Sequence, residues 1–333
     1  MKRIVKYLQP IISLFIGVFL FWLTFENTDW SVVKKGLKHL NYWWVLLSML
    51  FGYLAYVFRG IRWNLLIKPL GYSIKSFTLI QAIAFGFFCN AAIPRSGEIM
   101  RCTSIHKASG IPFSTLFGHV LLERIIDLIL LITFIFLAII FHYAQFEQFT
   151  INLIDAFLTK LRTSQLPWKP IILFIILFIS FLISFLRKRI FTKSNTLKIR
   201  AFFMGIKKGF FSIKSINNKP LFFVYTIAIW VCYLFMTSIC FKAFVGTEVA
   251  HFTLNQGVFM LAAGGIGMVI PSPGGLGSYH LSATNAMESL GTQLQYAEQY
   301  ALVVHSSETI MIILAGIMAM IILYIYIQKR QNG

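Results

Sequence analysis

Long apolar runs constrain this chain more than any other feature of its sequence. A helix needs roughly 20 apolar residues to cross the hydrocarbon core of a bilayer. Runs of about that length occupy residues 8–25, 41–58, 117–141, 170–186, 220–244 and 300–327. Hydrophobic residues make up 58% of the chain and charged residues 12%. Soluble domains contain fewer hydrophobic and more charged residues. The sequence therefore predicts an all-α polytopic membrane protein.

Two shorter apolar segments, 76–93 and 256–270, each end in the pattern Ile-Pro-x-x-Gly. Proline removes a backbone donor and glycine adopts dihedral angles closed to other residues, so both patterns break a helix within apolar sequence. The residues of these breaks are Pro94 and Gly97 in the first half, and Pro271, Pro273, Gly274, Gly275 and Gly277 in the second. Broken helices at corresponding positions of two halves are typical of secondary transporters.

Loop charge predicts the orientation of the spans, because cytoplasmic loops carry an excess of Lys and Arg. The segments 187–219 and 59–75 are basic and contain no acidic residue, and both termini are basic as well. We expect these four regions in the cytoplasm. The loop 245–255 has no Lys or Arg, so we expect it outside.

These assignments are compatible when the segments 76–93 and 256–285 are re-entrant hairpins that enter from opposite sides. The predicted fold is then about six full spans plus two opposed hairpins in an inverted repeat, and eight full spans are the alternative, because short helices cross thinned bilayers. The predicted boundaries are a single membrane domain 1–333, half-repeats 1–141 and 170–327, and a basic cytoplasmic loop 187–219. Broken backbone at membrane depth needs protein or water around it, so the hairpins should meet around the substrate site.

Charged side chains near these breaks are the candidate substrate ligands, because intramembrane charge is costly and commonly functional. Glu123, Arg124 and Asp127 fall inside the run 117–141, with the two carboxylates four residues apart on one helix face. Arg95, Glu98 and Arg101 follow the first break at spacings of three, where the arginines would bind an anionic headgroup and Glu98 would fix their geometry. A structural ion cluster or an interfacial anchor is the alternative for both groups.

The second half offers His305 and Glu308 inside the last span, with the same spacing as Arg124 and Asp127. A proton-linked role for His305 is one hypothesis, because histidine titrates near neutral pH. A bond to a neighbouring hydroxyl such as that of Ser306 is the other. The amides freed near Gly275 would face a phosphate at a half-helix start.

The sequence lacks the motifs of several protein classes. The sequence has no Gly-x-Gly-x-x-Gly, no P-loop and neither His-Glu-x-x-His nor Gly-x-Ser-x-Gly, so nucleotide-driven pumps and common hydrolases are not expected. Its four cysteines show no Cys-x-x-Cys spacing. Topology explains the net charge of +19 better than nucleic-acid binding does. We expect no metal and no cofactor, and membrane lipids as partners.

Taken together, these motifs resemble those of the flippase-like transmembrane region of lysylphosphatidylglycerol synthases, also called the multiple peptide resistance factor membrane domain. The elements that carry the resemblance are Arg59 and Arg62 with Trp63, Pro94 to Glu98 with Arg101, Glu123-Arg124-x-x-Asp127, and Pro271 to Gly277. The resemblance implies a lipid flippase that binds its substrate through these charged residues. It also implies a location in the bacterial cytoplasmic (inner) membrane. Loop charge separately predicts that both termini are cytoplasmic.

The chain departs from the family pattern at Tyr279-His280, where a glutamate is common, and at His305, where an arginine is common. No aminoacyltransferase domain lies within the 333 residues, so we do not expect this chain to be a lysyl-transferring enzyme. The favoured function is translocation of a phospholipid or another lipid-linked anionic substrate between leaflets. The alternatives are a membrane-embedded transferase with Glu123 or Asp127 as its base, and a scaffold subunit beside a separate lipid-modifying enzyme.

Overall fold

The computed structural model describes residues 15, 17–22, 24–26, 28–163 and 193–331, which are mostly helical and contain no strand. The named α-helices are α1 (Trp30–Lys38), α2 (Tyr42–Ile67), α3 (Ser76–Ala92), α4 (Ser96–Ser109), α5 (Phe113–Phe141), α6 (Tyr143–Thr163), α7 (Lys193–Phe210), α8 (Lys219–Ile239), α9 (Leu254–Val269), α10 (Ser278–Ser289) and α11 (Leu294–Gln331). The predicted all-α membrane protein is confirmed.

Four helical segments of the described chain are long and apolar enough to cross a membrane. They are Tyr42–Leu70, Phe113–Phe141, Lys219–Ala243 and Leu294–Arg330. They coincide with four of the six predicted spans. The predicted span 170–186 lies outside the described residues, as does half of the span 8–25. The six-span inverted repeat stays a prediction.

Helix α2 corrects the expectation that the segment 59–75 is a loop. The helix continues to Ile67 and a 3-10 turn follows, ending at Gly71 with a φ of 83°. Arg59 and Arg62 therefore lie on a helix, where both are buried. Their charge suggested a loop because an unpaired arginine is costly inside a membrane. Acidic and hydroxyl groups on neighbouring helices offset that cost here.

The basic segment 187–219 is likewise not a loop in its described part. Helix α7 and the 3-10 helix Phe211–Ser215 occupy most of it, and residues 187–192 lie outside the described chain. Small residues let α7 approach the start of α5 closely. A Cβ atom on Gly209 would lie 2.0 Å from the carbonyl oxygen of Thr115. The charge of a segment does not predict packing between distant parts of the chain, so the sequence did not indicate this helix.

The first break joins α3 and α4 into a helical hairpin. Arg95 lies between the two helices with a φ of 65°. The amide of Gly97 donates a hydrogen bond of 2.7 Å to Oδ1 of Asn90, so the start of α4 is capped from α3. A Cβ atom on Gly97 would lie 2.0 Å from the carbonyl oxygen of Gly86. Glycine at this position therefore lets the two arms pack together.

The second break joins α9 and α10 through the 3-10 turn Pro273–Gly275. Gly274, Gly275 and Gly277 have φ values of 58°, 85° and 76°, which explains the glycine-rich sequence. A Cβ atom on Gly274 would lie 3.4 Å from the Cα atom of Ala91 at the end of α3. The two breaks therefore lie close together, and the re-entrant course of the segments around them stays a prediction.

The first arms of both hairpins are short for a membrane span. Helix α3 has 17 residues and α9 has 16, which corresponds to about 25 Å at 1.5 Å per residue. The hydrocarbon core is about 30 Å thick. These lengths favour re-entrant hairpins over complete spans.

Candidate functional site

Buried ion pairs hold α2 and α4 against α5. Nη2 of Arg101 lies 2.7 Å from Oε2 of Glu123, and both side chains are almost completely buried. Nη1 of Arg59 lies 3.0 Å from Oδ2 of Asp127. The two carboxylates are one turn apart on α5, so arginines from two other helices reach the same face. Buried charges persist when they are paired in this way.

Helix α8 supplies further partners to the arginines of α2. Nε of Arg59 donates a hydrogen bond of 2.9 Å to the hydroxyl of Tyr233. Nη1 of Arg62 donates one of 3.1 Å to Oγ1 of Thr226, and its Nη2 lies 3.8 Å from Oδ1 of Asp127. The sequence reasoning missed Tyr233 and Thr226, because hydroxyls on an apolar helix carry no distinctive spacing.

Arg124 is held much more loosely than the other arginines of this network. Its Nη2 lies 3.4 Å from Oε1 of Glu98, and its Nη1 lies 3.9 Å from Oδ2 of Asp127. Its side chain is 40% exposed, whereas that of Arg101 is 4% exposed. The guanidinium of Arg124 is therefore the most available cation of the cluster for a ligand.

An apolar cavity of about 320 Å³ lies between α2, α5, α8 and α9. Its wall is mostly aromatic, aliphatic and methionine side chains, among them Leu128, Leu131, Trp230, Met260 and Met268. Charged side chains also line it, namely Arg59, Arg124, Asp127 and Glu308. A cavity of this character fits a hydrocarbon chain beside a charged group.

A second cavity of about 280 Å³, here called the break cavity, lies between the two helix breaks. Arg95 and Glu98 line it from the first break, and Ser272 and Gly274 line it from the second. The two cavities share wall residues, namely Phe87, Arg124, Gly265, Met268 and Glu308. A more polar compartment thus adjoins an apolar one, with Arg124 at their boundary.

His305 fixes the second break from α11. Its Nε2 lies 3.0 Å from the carbonyl oxygen of Gly274, which accepts the hydrogen bond. Nδ1 of His280 accepts a hydrogen bond of 3.3 Å from the amide of Gly277, and the rings of His280 and His305 lie 4.4 Å apart. His305 lines neither cavity. This geometry gives it a structural contact with the backbone of the break.

Apart from His305, the structure separates the predicted site residues into two sets. Those that line the apolar cavity or the break cavity are Arg59, Arg95, Glu98, Arg124, Asp127 and Glu308. Arg62, Arg101 and Glu123 lie behind this wall in the ion-pair network. Their roles in substrate binding stay predictions. Within the described ranges, no group of three or more His, Cys, Asp and Glu side chains is placed to hold a metal ion.

Comparison with known proteins agrees with these motifs. A UPF0104 membrane protein of Pyrococcus horikoshii is 26% identical over 141 residues, which cover 41% of either chain. One of Methanocaldococcus jannaschii is 31% identical over 98 residues, 28% of this chain and 29% of that protein. The chain thus matches less than half the length of these curated relatives.

No solved structure matches the chain. The family model described as the lysylphosphatidylglycerol synthase TM region matches residues 11–316, which is most of the sequence. The chain is therefore an integral membrane protein that belongs to the lysylphosphatidylglycerol synthase transmembrane-region family.

Proposed function

We propose that this protein moves a phospholipid, or another lipid-linked anion, between the two leaflets of its membrane. The observation that carries the proposal is the junction of the break cavity with the apolar cavity at Arg124. A lipid has the same two parts, a charged headgroup and hydrocarbon chains. The joined cavities offer a compartment to each part.

The headgroup phosphate is assigned to Arg124 and Arg95. Arginine binds phosphate through two parallel N–H donors, and such charge-assisted bonds are strong in a site of low polarity. Arg95 is exposed and lines the break cavity, and Arg124 reaches both cavities. The acyl chains would then lie along Leu128, Leu131 and Met268.

The proposed location is the bacterial cytoplasmic membrane, with both termini on the cytoplasmic side. The basic residues of α7, such as Lys207 and Lys208, support this orientation because cytoplasmic segments are enriched in Lys and Arg. A separate lipid-modifying enzyme would supply or consume the lipid on one side.

The geometry supports translocation better than a membrane-embedded transferase. A general base must reach the proton that it abstracts. The Glu123 side chain is 0% exposed and bound to Arg101 at 2.7 Å, so it faces a structural partner rather than a cavity. Asp127 does reach the apolar cavity, but its Oδ2 is engaged by Arg59 at 3.0 Å.

The test is leaflet exchange of phospholipids in proteoliposomes, with the fluorophore on an acyl chain and chemical quenching of the outer leaflet. We expect Arg124→Ala to slow exchange by about 10-fold to 100-fold, because one hydrogen bond to a charged group contributes roughly 1.5–3 kcal/mol. Glu98→Ala should also slow it, because Glu98 positions Arg124.

The matched control is Arg200→Ala, since Arg200 is exposed on α7 and lines neither cavity. It removes the same side chain and should exchange lipid at the wild-type rate. Purified protein that exchanges neither anionic nor zwitterionic phospholipids faster than protein-free vesicles would refute translocation. Equal exchange by wild type and Arg124→Ala would refute the assigned headgroup site.

A further inference from the structure

Glu308 is a carboxylate inside the last membrane span that contributes to the wall of both cavities. Within the described chain, no hydrogen bond or ion pair engages its carboxylate. Asp127 is a useful contrast, because it lies in the same apolar cavity but is bound by Arg59 at 3.0 Å. Glu308 is not part of the ion-pair network. It lines both cavities instead.

Titratable groups surround Glu308 from several helices, and Tyr233 of α8 shares the apolar cavity with it. Tyr56 on α2 and Tyr279 on α10 are near enough to interact with it electrostatically. The charged groups that share a cavity wall with it are Arg59, Arg95, Glu98, Arg124 and Asp127. From α9, Gly265 and Met268 line both cavities with it and carry no charge. His305, one turn earlier on α11, is bonded to the carbonyl of Gly274.

The position of Glu308 makes its charge depend on water in the cavities. An ionised carboxylate without a partner costs several kcal/mol in a medium of low polarity, and binding a proton removes most of that cost. When acyl chains fill the joined cavities, the neutral acid is the less costly form. When the cavities open to water, hydration stabilises the carboxylate and the proton leaves.

We propose that Glu308 couples lipid exchange to proton movement, an inference that rests on the proposed function. One oxygen of its carboxylate takes a proton from water as the lipid enters the joined cavities from one side of the membrane. The neutral acid persists while the cavities are closed around the lipid, and the proton returns to water on the other side. The net reaction transfers one proton per crossing and consumes no other reactant.

The experiment applies a pH gradient of about one unit across proteoliposomes while potassium and valinomycin clamp the membrane potential. Lipid distribution is read from acyl-chain fluorescence, and lumenal pH is read from a trapped dye. One proton per crossing would drive an asymmetry of up to about tenfold between leaflets, because one pH unit is a tenfold ratio of proton activity. We expect wild type to build that asymmetry and to dissipate the gradient faster when a transported lipid is present.

Glu308→Gln keeps the shape of the side chain and removes the titrating group. We expect it to build no asymmetry under the gradient and to lose lipid-dependent proton flux, whatever its rate of exchange without a gradient. The control is Glu147→Gln on the exposed surface of α6, which should behave as wild type. Infrared difference spectra of purified protein should also lose the carbonyl band of a protonated carboxylic acid in Glu308→Gln only.

The possible failures are distinguishable. Wild-type exchange that ignores the gradient, or a Glu308→Gln variant with the wild-type response, refutes the coupling and leaves translocation standing. If Glu308→Gln stops exchanging only the lipids that carry an amine, the carboxylate binds a headgroup ammonium. That result would also refute the coupling. Wild-type vesicles that exchange no lipid under any gradient remove the proposed function and the coupling together.

Discussion

Removing Arg101 should destabilise the protein more than removing any loosely held arginine. Nη2 of Arg101 lies 2.7 Å from Oε2 of Glu123, and their side chains are 4% and 0% exposed. At that separation the Coulomb attraction is about 6 kcal/mol with an effective dielectric constant near 20. The desolvation of both groups offsets part of it, but removing one partner leaves a buried charge and costs about 3–5 kcal/mol. We expect Arg101→Met to lose stability in this range.

The assay is reversible unfolding in mixed micelles, followed by tryptophan fluorescence and circular dichroism. The double variant Arg101→Met with Glu123→Met should regain most of the loss, because neither charge then remains buried. Glu147→Ala on the exposed face of α6 serves as the control and should change the unfolding free energy by less than about 0.5 kcal/mol. Additive losses in the double variant, or an Arg101→Met variant within about 1 kcal/mol of wild type, would refute the reasoning.

Three further variants test other parts of the fold. Gly97→Ala should sharply lower the yield of folded protein in size-exclusion chromatography, because its Cβ atom would lie 2.0 Å from the carbonyl oxygen of Gly86. Tyr233→Phe should lower the unfolding free energy by about 1.5–3 kcal/mol, since it removes the acceptor of a 2.9 Å bond from Arg59. Lys208→Cys should react with a membrane-impermeant maleimide only after the cells are opened, if α7 is cytoplasmic.

The spans and the breaks could be predicted because each depends on local sequence. A long apolar run is stable as a helix across the lipid bilayer. A Pro-Gly pattern interrupts a helix in any surroundings. The positions of Pro94 and Pro271 therefore predicted both helix breaks correctly. The sequence also identified Arg124 as a candidate ligand, because charge inside an apolar run is rare.

The remaining features depend on contacts between distant segments. Arg59 was placed in a loop because its partners, Asp127 on α5 and Tyr233 on α8, are far away in sequence. The packing of α7 on α5 through Gly209 is equally non-local. His305 and Glu308 were both candidate substrate ligands because they share the spacing of Arg124 and Asp127. The fold distinguishes them, since His305 contacts the backbone of the break and Glu308 lines the cavities.

The charge balance of the cluster leads to a final prediction about Arg124. The cluster holds four arginines, Arg59, Arg62, Arg101 and Arg124, against Glu98, Glu123 and Asp127, so one positive charge is in excess. Arg124 has the longest contacts of the arginines that line a cavity, at 3.4 and 3.9 Å, and is 40% exposed. Arg124→Gln removes that excess, so we expect the unfolding free energy to change by less than about 1 kcal/mol.

The same substitution should slow lipid exchange by about tenfold or more, because it removes the charge assigned to the phosphate. Arg59→Gln provides the comparison and should lose several kcal/mol of stability, since its guanidinium is bound to Asp127 at 3.0 Å and to Tyr233 at 2.9 Å. Measured together, unfolding and exchange separate a binding residue from a structural one. If Arg124→Gln lowers the unfolding free energy by several kcal/mol, Arg124 stabilises the fold. Its positive charge would then have a structural role and would not be evidence for a lipid phosphate.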